Sequence, residues 1–332
     1  MDVSVIIPTY NSSHVLKKCL ESLSSSSFKD YEVIVVDDNS TDKTKDVVEK
    51  YPKVLYFKNN KNLGPAKSRN EGARHANGKY LLFIDADCVP ERNWISKMLE
   101  KFNNTEESIV GVSGGYSGPV NIDDNLQVFQ HLDLKFRHRK IKESIESTTS
   151  GNLGVIKDVF DRIGGFPEII NEDEALGYLL SREGRVLWDQ GNGVRHHFKG
   201  SYQKYLMQQY SFAKSVLLLQ SRNTQMVKAT KTYNPLRIML ELFFTLLILL
   251  SPLCIIIQKP QLVLMSILLY VLLYLGYLVY MYHESKSITF SCYALLLSFF
   301  RNIYWTGGLI SGLCAFLKGD TPAKYDYHKI NR

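Results

Sequence analysis

Tyr80-Leu81-Leu82-Phe83-Ile84-Asp85-Ala86-Asp87-Cys88-Val89-Pro90 is the stretch on which the fold turns. Its five leading apolar residues, β-branched and aromatic among them, read as a strand buried on both faces. Pro90 stops that strand, because proline cannot donate to the ladder and restricts the residue before it. Between the run and the proline stand two carboxylates separated by one small residue. Acids at the carboxyl end of a buried strand are costly to hold there without a cation. Their hard oxygens suit Mg²⁺ or Mn²⁺, and an ion with open positions can take diphosphate oxygens. Taken alone, an Asp-x-Asp triplet reads as a solvated turn. The flanking chain decides between the two.

Upstream, Val3-Ser4-Val5-Ile6-Ile7-Pro8 is a second buried strand ended by proline. Residues 12–23 place Val15, Leu16, Cys19, Leu20 and Leu23 on one helical face, with Ser12 or Ser13 as N-cap. Glu32-Val33-Ile34-Val35-Val36 is a third strand, leading into Asp37-Asp38-Asn39-Ser40 and a helix carrying Val47 and Val48. Residues 54–57 form a short fourth. Gly64-Pro65 opens another helix, with proline in its permitted first turn and Gly78 as the stop. Strands and helices alternating at these lengths require crossovers, so a mainly parallel α/β sheet with helices on both faces is expected. Ligands of such sheets sit at the carboxyl ends of the strands. Three of those ends, at Pro8-Thr9-Tyr10-Asn11, Asp37-Asp38-Asn39-Ser40 and Asp85-Ala86-Asp87, are polar. Their coincidence favours the metal site over the turn.

The chain has 332 residues, 45% of them apolar, enough for one large domain or two. Its formal charge of +7 permits an anionic partner or a membrane surface, and is too mild to argue for nucleic acid. The five cysteines are Cys19, Cys88, Cys254, Cys292 and Cys314. Their number is odd and no Cys-x-x-Cys occurs, which suggests neither a disulfide framework nor a zinc site. Buried thiols in a reducing compartment are expected. Met1-Asp2 leads directly into a strand pattern, so no signal peptide is expected.

Four ordered motifs carry a resemblance: Ser4 to Asn11, Val35-Val36-Asp37-Asp38-Asn39-Ser40-Thr41-Asp42, Gly64-Pro65-Ala66-Lys67-Ser68-Arg69-Asn70-Glu71-Gly72, and the Asp85/Asp87 pair. Over roughly residues 3 to 215 the chain resembles the family-two glycosyltransferases of the GT-A fold, inverting enzymes that use nucleotide-sugars. The resemblance implies that Pro8, Thr9 and Tyr10 line the base and ribose, and that Asp37 or Asp38 accepts hydrogen bonds from them. Either acid reads equally as a helix N-cap. Lys67 and Arg69 would reach the diphosphate, or be solvated helix charges. Asp85 and Ala86 would line the nucleotide-sugar, Asp85 near the ribose and beside the metal. Asp87 would bind a divalent ion, Mn²⁺ or Mg²⁺, which neutralises charge as the nucleoside diphosphate leaves. Glu172-Asp173, at a helix start after Gly164-Gly165-Phe166, resembles the acceptor-site acid motif. Asp173 is the expected general base and Glu172 the alternative. Favourable charge at a helix N-terminus is the competing explanation. His196 is a candidate for the metal shell, or an ordinary surface or core histidine. Gly151, Asn152 and Gln208 are expected to border the acceptor pocket.

Two patterns depart from relatives of this kind. Gln208-Gln209-Tyr210-Ser211-Phe212 stands where cellulose-synthase-like members carry Gln-x-x-Arg-Trp, which puts polymer extension in doubt. Residues 111–118 are glycine-rich, but no helix pattern follows as a dinucleotide fingerprint requires, and a loop beside the donor sugar is expected. Asn11, Asn39 and Asn103 begin nominal N-glycosylation triplets, two of them inside the expected nucleotide site.

From Ile238 the chain turns hydrophobic in three blocks, 238–257, 262–282 and 288–317. The first two are each long enough to cross a bilayer core as a helix. The third carries Arg301 and then Gly307, Gly308 and Gly312, and reads as a tilted span, a broken helix or an interfacial segment followed by a span. Arg301 should face protein, water or a lipid phosphate. Lys228, Lys231 and Arg237 place the domain before them in the cytoplasm, while the basic tail strains the same rule.

The expected organisation is a cytoplasm-facing GT-A domain over residues 1–220 that ends in an interfacial amphipathic helix, a basic linker at 221–237, a multi-pass membrane domain at 238–317 and a basic tail at 318–332. The expected activity is transfer of one sugar, from a UDP- or GDP-linked donor to a lipid-linked acceptor at the cell membrane. A processive polysaccharide synthase and a silent membrane scaffold are the alternatives. The broken Gln-x-x-Arg-Trp and the lack of a preceding membrane segment argue against the first, and intact Asp85, Asp87 and Asp173 against the second.

Overall fold

The computed structural model describes residues 2–103, 108–139, 141, 143–168, 172–220, 235–250 and 261–319. They form two compact units. The first takes in the described residues up to Ile122 and those from 141 to Phe198. The second takes in Asp123–Arg139 and the described residues from Lys199 onward.

The first unit is built on eight strands, β1 (Val3–Thr9), β2 (Tyr31–Asp37), β3 (Val54–Lys58), β4 (Tyr80–Ile84), β5 (Cys88–Val89), β6 (Ile109–Pro119), β7 (Asn152–Ile156) and β8 (Arg185–His196). They lie in one sheet in the order β3-β2-β1-β4-β7-β6-β8-β5. Flanking it are α1 (Ser13–Ser24), α2 (Thr44–Val48), α3 (Pro65–Arg74), α4 (Trp94–Phe102), α6 (Lys157–Arg162) and α7 (Glu172–Glu183), while α5 (Asn125–His138) belongs to the second unit. The uniform apolar runs now have their explanation: successive side chains of a strand point to opposite faces, and both faces are covered. Val3, Val5 and Ile7 join one core and Ile6 the other; Leu82 and Ile84 join the first and Leu81 and Phe83 the second. Leu16 and Leu20 of α1 and Trp94 and Met98 of α4 close the first core, and Ala66 of α3, Phe160 of α6 and Leu176 of α7 close the second.

The expected parallel sheet holds for β3-β2-β1-β4. Beyond it the sheet is mixed, because β7 runs antiparallel to both β4 and β6, and β5 antiparallel to β8. The segment between β6 and β7 gives its helix to the second unit, so no crossover packed on the sheet forces them parallel. The glycine-rich residues expected as a loop are the strand β6.

Gly78 does not stop α3, which ends at Arg74. It is glycine because the chain crosses β1 here at close range. A Cβ on it would lie 2.5 Å from the Ser4 nitrogen and 2.6 Å from the Val3 carbonyl carbon. The Gly78 N–H donates to Ser4 Oγ (2.8 Å), and Ser4 Oγ donates to the buried Glu32 carboxylate (2.6 Å), which also accepts the Asn77 N–H (2.7 Å). Gly78→Ala is expected to lower stability by about 1–3 kcal/mol through overpacking. A urea melt checks this, with the midpoint falling at unchanged slope.

The second unit comprises α5, α8 (Tyr202–Gln220), α9 (Pro235–Leu250), α10 (Gln261–Leu273), α11 (Leu275–Ser285) and α12 (Ile288–Leu317). Leu126, Phe129, Leu132 and Phe136 of α5 pack in one core with Tyr205, Tyr274, Tyr277 and Leu297. Arg301 faces protein: one guanidinium nitrogen lies 2.7 Å from Asp133 Oδ1, and the other 3.5 Å from Glu241 Oε2. The Tyr277 hydroxyl donates to the same Asp133 oxygen (3.0 Å). Among the described residues no single helix is long and apolar enough to cross a membrane. The pair α10 and α11, bent by 55°, meets that length and composition together. The expected span 262–282 is therefore broken. The glycines of α12 do not break it, since its 30 residues form one helix. Gly308 instead lets the Tyr210 carbonyl of α8 approach closer than a side chain would permit. Residues 251–257 of the first expected span, Cys254 among them, lie outside the described residues, as do 221–234 of the linker and the tail beyond 319.

Candidate active site

The carboxyl ends of β1 and β2 lie side by side, with Thr9 paired to Asp37. Their loops are clipped together. Asp38 N–H donates to the Thr9 carbonyl (2.8 Å), Asn11 N–H to Ser40 Oγ (2.9 Å), and Thr41 N–H to Asn11 Oδ1 (2.9 Å). Asn11 and Asn39 sit at φ 48° and 66°, the left-handed region that asparagine tolerates. Ser12 holds the N-cap position of α1 without capping it, and Asp42 accepts the Ser13 N–H instead (3.0 Å). Pro8 and Tyr10 are part-exposed at this edge. Thr9 is buried, and its hydroxyl has no hydrogen-bond partner among the described residues.

Asp37 and Asp38 are both buried and cap neither α1 nor α2. Asp37 accepts the Ser40 N–H (2.7 Å) and the Tyr56 hydroxyl (2.5 Å). Asp38 accepts the Asn59 amide and the Leu63 and Gly64 N–H groups, each at 2.8 Å, and so fixes the turn into α3. A carboxylate has about four acceptor positions, which leaves Asp37 room for two donors from a ligand and Asp38 room for one.

Arg69, on α3, ties two motifs together. Its terminal nitrogens lie 2.7 Å from Asp85 Oδ1, at the end of β4, and 2.8 Å from Glu172 Oε1, at the start of α7. The guanidinium is only 4% exposed and lies over the Phe166 ring. Lys67 pairs instead with the exposed Glu168 (3.0 Å), a contact worth little in solvent. Asp173, next to Glu172, has its carboxyl raised to about 7. Burial is the main cause, the Glu172 and Glu174 carboxylates add to it, and Arg69 opposes it. Favourable charge at a helix N-terminus would have lowered that value, so burial outweighs the dipole here.

The β5–β8 pairing sets the third group. Cys88 and His196 are register partners, and the His197 N–H donates to the Asp87 carbonyl (2.8 Å). His196 Nε2 consequently stands 3.4 Å from Asp87 Oδ1. The imidazole packs against Tyr116 and Phe198, each with ring centroids 4.5 Å away, and its Nδ1 is buried without a hydrogen-bond partner among the described residues. One carboxylate and one oriented imidazole form a donor set that fits Mn²⁺ and similar divalent ions. Asp85 lies outside this cluster, with Oδ1 on Arg69 and its other oxygen near Gly151. A Cβ there would meet Asp85 Oδ2 at 2.8 Å and the Tyr116 hydroxyl at 3.0 Å, so glycine keeps this wall open. Ala86, between the two acids, is buried.

Asn152 is a correction. It is fully buried, and its amide is spent on structure: it accepts from the Trp94 indole (2.8 Å) and donates to the Gly115 and Asn192 carbonyls (3.1 and 2.7 Å). It cannot reach an acceptor. Gln208 is half-buried on α8, in the second unit. Tyr116 was missed because residues 111–118 read as a loop; alternation along a strand would have singled out its ring.

The sequence profile of the family described as Glycosyl transferase family 2 matches residues 4–164. The chain carries a family 2 glycosyltransferase domain. Its curated relatives include Glycosyltransferase AglE of Haloferax volcanii, 30% identical over 50% of this chain and 56% of that one. Another is a Campylobacter jejuni protein named GalNAc(5)-diNAcBac-PP-undecaprenol beta-1,3-glucosyltransferase, 37% identical over 33% of this chain and 37% of its own length. The chain thus spans about half, or less, of these relatives. Among solved structures, the mannosyltransferase PcManGT of Pyrobaculum calidifontis, in complex with GDP-Man and Mn²⁺, shares the fold with a TM-score of 0.58. That match has 16% identity and covers 94% of this chain and 86% of that one.

Proposed function

We propose that the chain transfers a single sugar, with inversion, from a nucleotide-sugar to a lipid-linked acceptor. The observation that carries this reading is the Arg69 bridge, which holds Asp85 of the donor-side loop against Glu172, the neighbour of a carboxyl poised near pH 7. In this reading Asp173 takes the proton of the acceptor hydroxyl as its oxygen attacks the anomeric carbon from the face opposite the departing nucleoside diphosphate. Thr9, Tyr10 and the remaining acceptor positions of Asp37 and Asp38 receive the base and ribose. Lys67, on a solvent-exposed stem, can swing to the diphosphate, whereas Arg69 acts as a strut. A divalent ion held by Asp87 and His196, with Asp85 beside it, would supply positive charge for the diphosphate.

The name of the Campylobacter relative, which specifies an undecaprenyl diphosphate carrier, supports a polyprenyl-linked acceptor. The second unit supports a membrane location, with Leu264, Leu268, Val279 and Ile310 each more than half exposed to the surroundings. The helices from α9 on would then form a multi-pass anchor, and the sheet unit would face the cytoplasm.

Calorimetric titration of UDP and GDP, with and without Mn²⁺, tests the donor half. Asp87→Asn is expected to weaken metal-dependent nucleotide binding by about tenfold or more. Equal, metal-independent binding by both proteins would sink the assignment.

A further inference from the structure

We propose that Asp87, Cys88 and His196 together form a site for a thiophilic divalent cation, Zn²⁺ foremost, in which Cys88 is a direct ligand. The sequence argued against zinc because no Cys-x-x-Cys occurs. The fold assembles its ligands differently, by setting Cys88 opposite His196 across the β5–β8 ladder and placing Asp87 one residue before it.

The distances favour this set. Tetrahedral zinc with Zn–O and Zn–N of about 2.0–2.1 Å and Zn–S of about 2.3 Å needs an O–N edge of about 3.3 Å and an S–O edge of about 3.6 Å. The structure has 3.4 Å from Asp87 Oδ1 to His196 Nε2 and 3.9 Å from Asp87 Oδ1 to Cys88 Sγ. The three ligand atoms all lie within 4.8 Å of one another. A buried cysteine is ordinarily a small apolar filler. Cys19 shows the contrast: it is equally buried, its sulfur lies 4.0 Å from the Asp85 carbonyl, and it joins no such ligand cluster among the described residues.

The chemistry balances without a redox partner. As the S–Zn bond forms, Cys88 releases its proton to solvent, and the carboxylate and thiolate together offset the 2+ charge. Three protein ligands leave a fourth position open. Oxygen-preferring Mn²⁺ and Mg²⁺ have no use for the sulfur, so Cys88 discriminates between classes of ion. Because Asp87 and His196 belong to both sets, Zn²⁺ displaces the hard ion and opposes nucleotide binding. That last consequence rests on the proposed function; the site itself does not.

The test titrates Cd²⁺, a spectroscopic stand-in for Zn²⁺, into the full chain without nucleotide, following the ultraviolet thiolate-to-cadmium charge-transfer band. One band, displaced by Zn²⁺ and lost in both Cys88→Ser and His196→Ala, is expected, with Zn²⁺ affinity falling about tenfold or more in each. Circular dichroism confirms that the variants fold, and Cys19→Ala is expected to retain the band. A band that survives Cys88→Ser, or no band in the unmodified chain, overturns the inference. Mn²⁺-dependent nucleotide binding by the same preparation separates the two readings. Binding without the band leaves the proposed function standing and removes the zinc site, whereas the band without binding does the reverse.

Discussion

Asp173→Asn is expected to lower the rate of sugar transfer by about 10²–10⁴-fold, the range a positioned general base contributes, and to leave nucleotide affinity unchanged. The amide preserves shape and cannot take a proton. In the unmodified chain the rate should fall about tenfold per pH unit below the Asp173 value of about 7, since only the ionised carboxylate works as a base. The same substitution should stabilise the fold at pH 8. The folded carboxyl titrates near 7 and its ordinary value is 3.8, so between those limits the folded state holds a proton that the unfolded state has released. Stability therefore falls as pH rises through this window, the reverse of a salt-bridged acid. Below the window both states are protonated and the variant has no advantage; above it the advantage is complete. Thermal midpoints at pH 4 and pH 8 with transfer assays at pH 8 check both halves. Normal transfer by the variant would move the base to Glu172.

Arg69→Met should be the most destabilising single substitution in the site. It removes the cation lying between Asp85 and Glu172, and breaking a buried pair costs about 3–5 kcal/mol because the partner charges stay behind. Asp85 is 31% exposed, so solvent screens part of this, and the lower end is expected. The loss would also remove the group that opposes the rise of the Asp173 carboxyl, shifting the acidic limb of the rate profile to higher pH. Arg69→Lys should recover only part of both effects, since an ammonium cannot fork between two carboxylates as a planar guanidinium does. Urea unfolding and the pH profile of transfer read the two effects separately. A midpoint for Arg69→Met equal to that of the unmodified chain would mean that the bridge contributes nothing.

Strands β1, β2 and β4 were legible because burial on both faces leaves a short apolar run cut off by proline or acid, too short for a buried helix. The polar ends of β1, β2 and β4 were legible for the same reason. The partners of those polar groups were not. Asn152 looks like a pocket residue until the Trp94 indole and two carbonyls, 37 to 58 residues away, are found on its amide. Arg69 looks like a phosphate ligand until Glu172, 103 residues on, is seen beside it. His196 and Asp87 come together only through a two-residue strand too short to show periodicity. Local pattern reports which face a residue takes; it does not report what crosses over to meet it.

The placement of α5 bears on how such a chain can be inherited. Asp123–Arg139 lies inside the stretch matched by the family profile, yet its helix is packed among the C-terminal helices and its Asp133 answers Arg301, 168 residues downstream. The two units are therefore not consecutive cassettes on the gene. A single recombination point after the catalytic stretch would hand a new helical partner a helix whose buried acid expects an arginine that the partner need not carry. Exchange between relatives is confined to events that move residues 123–139 and the C-terminal helices together, so the sheet and its helical companion must diverge as a matched pair.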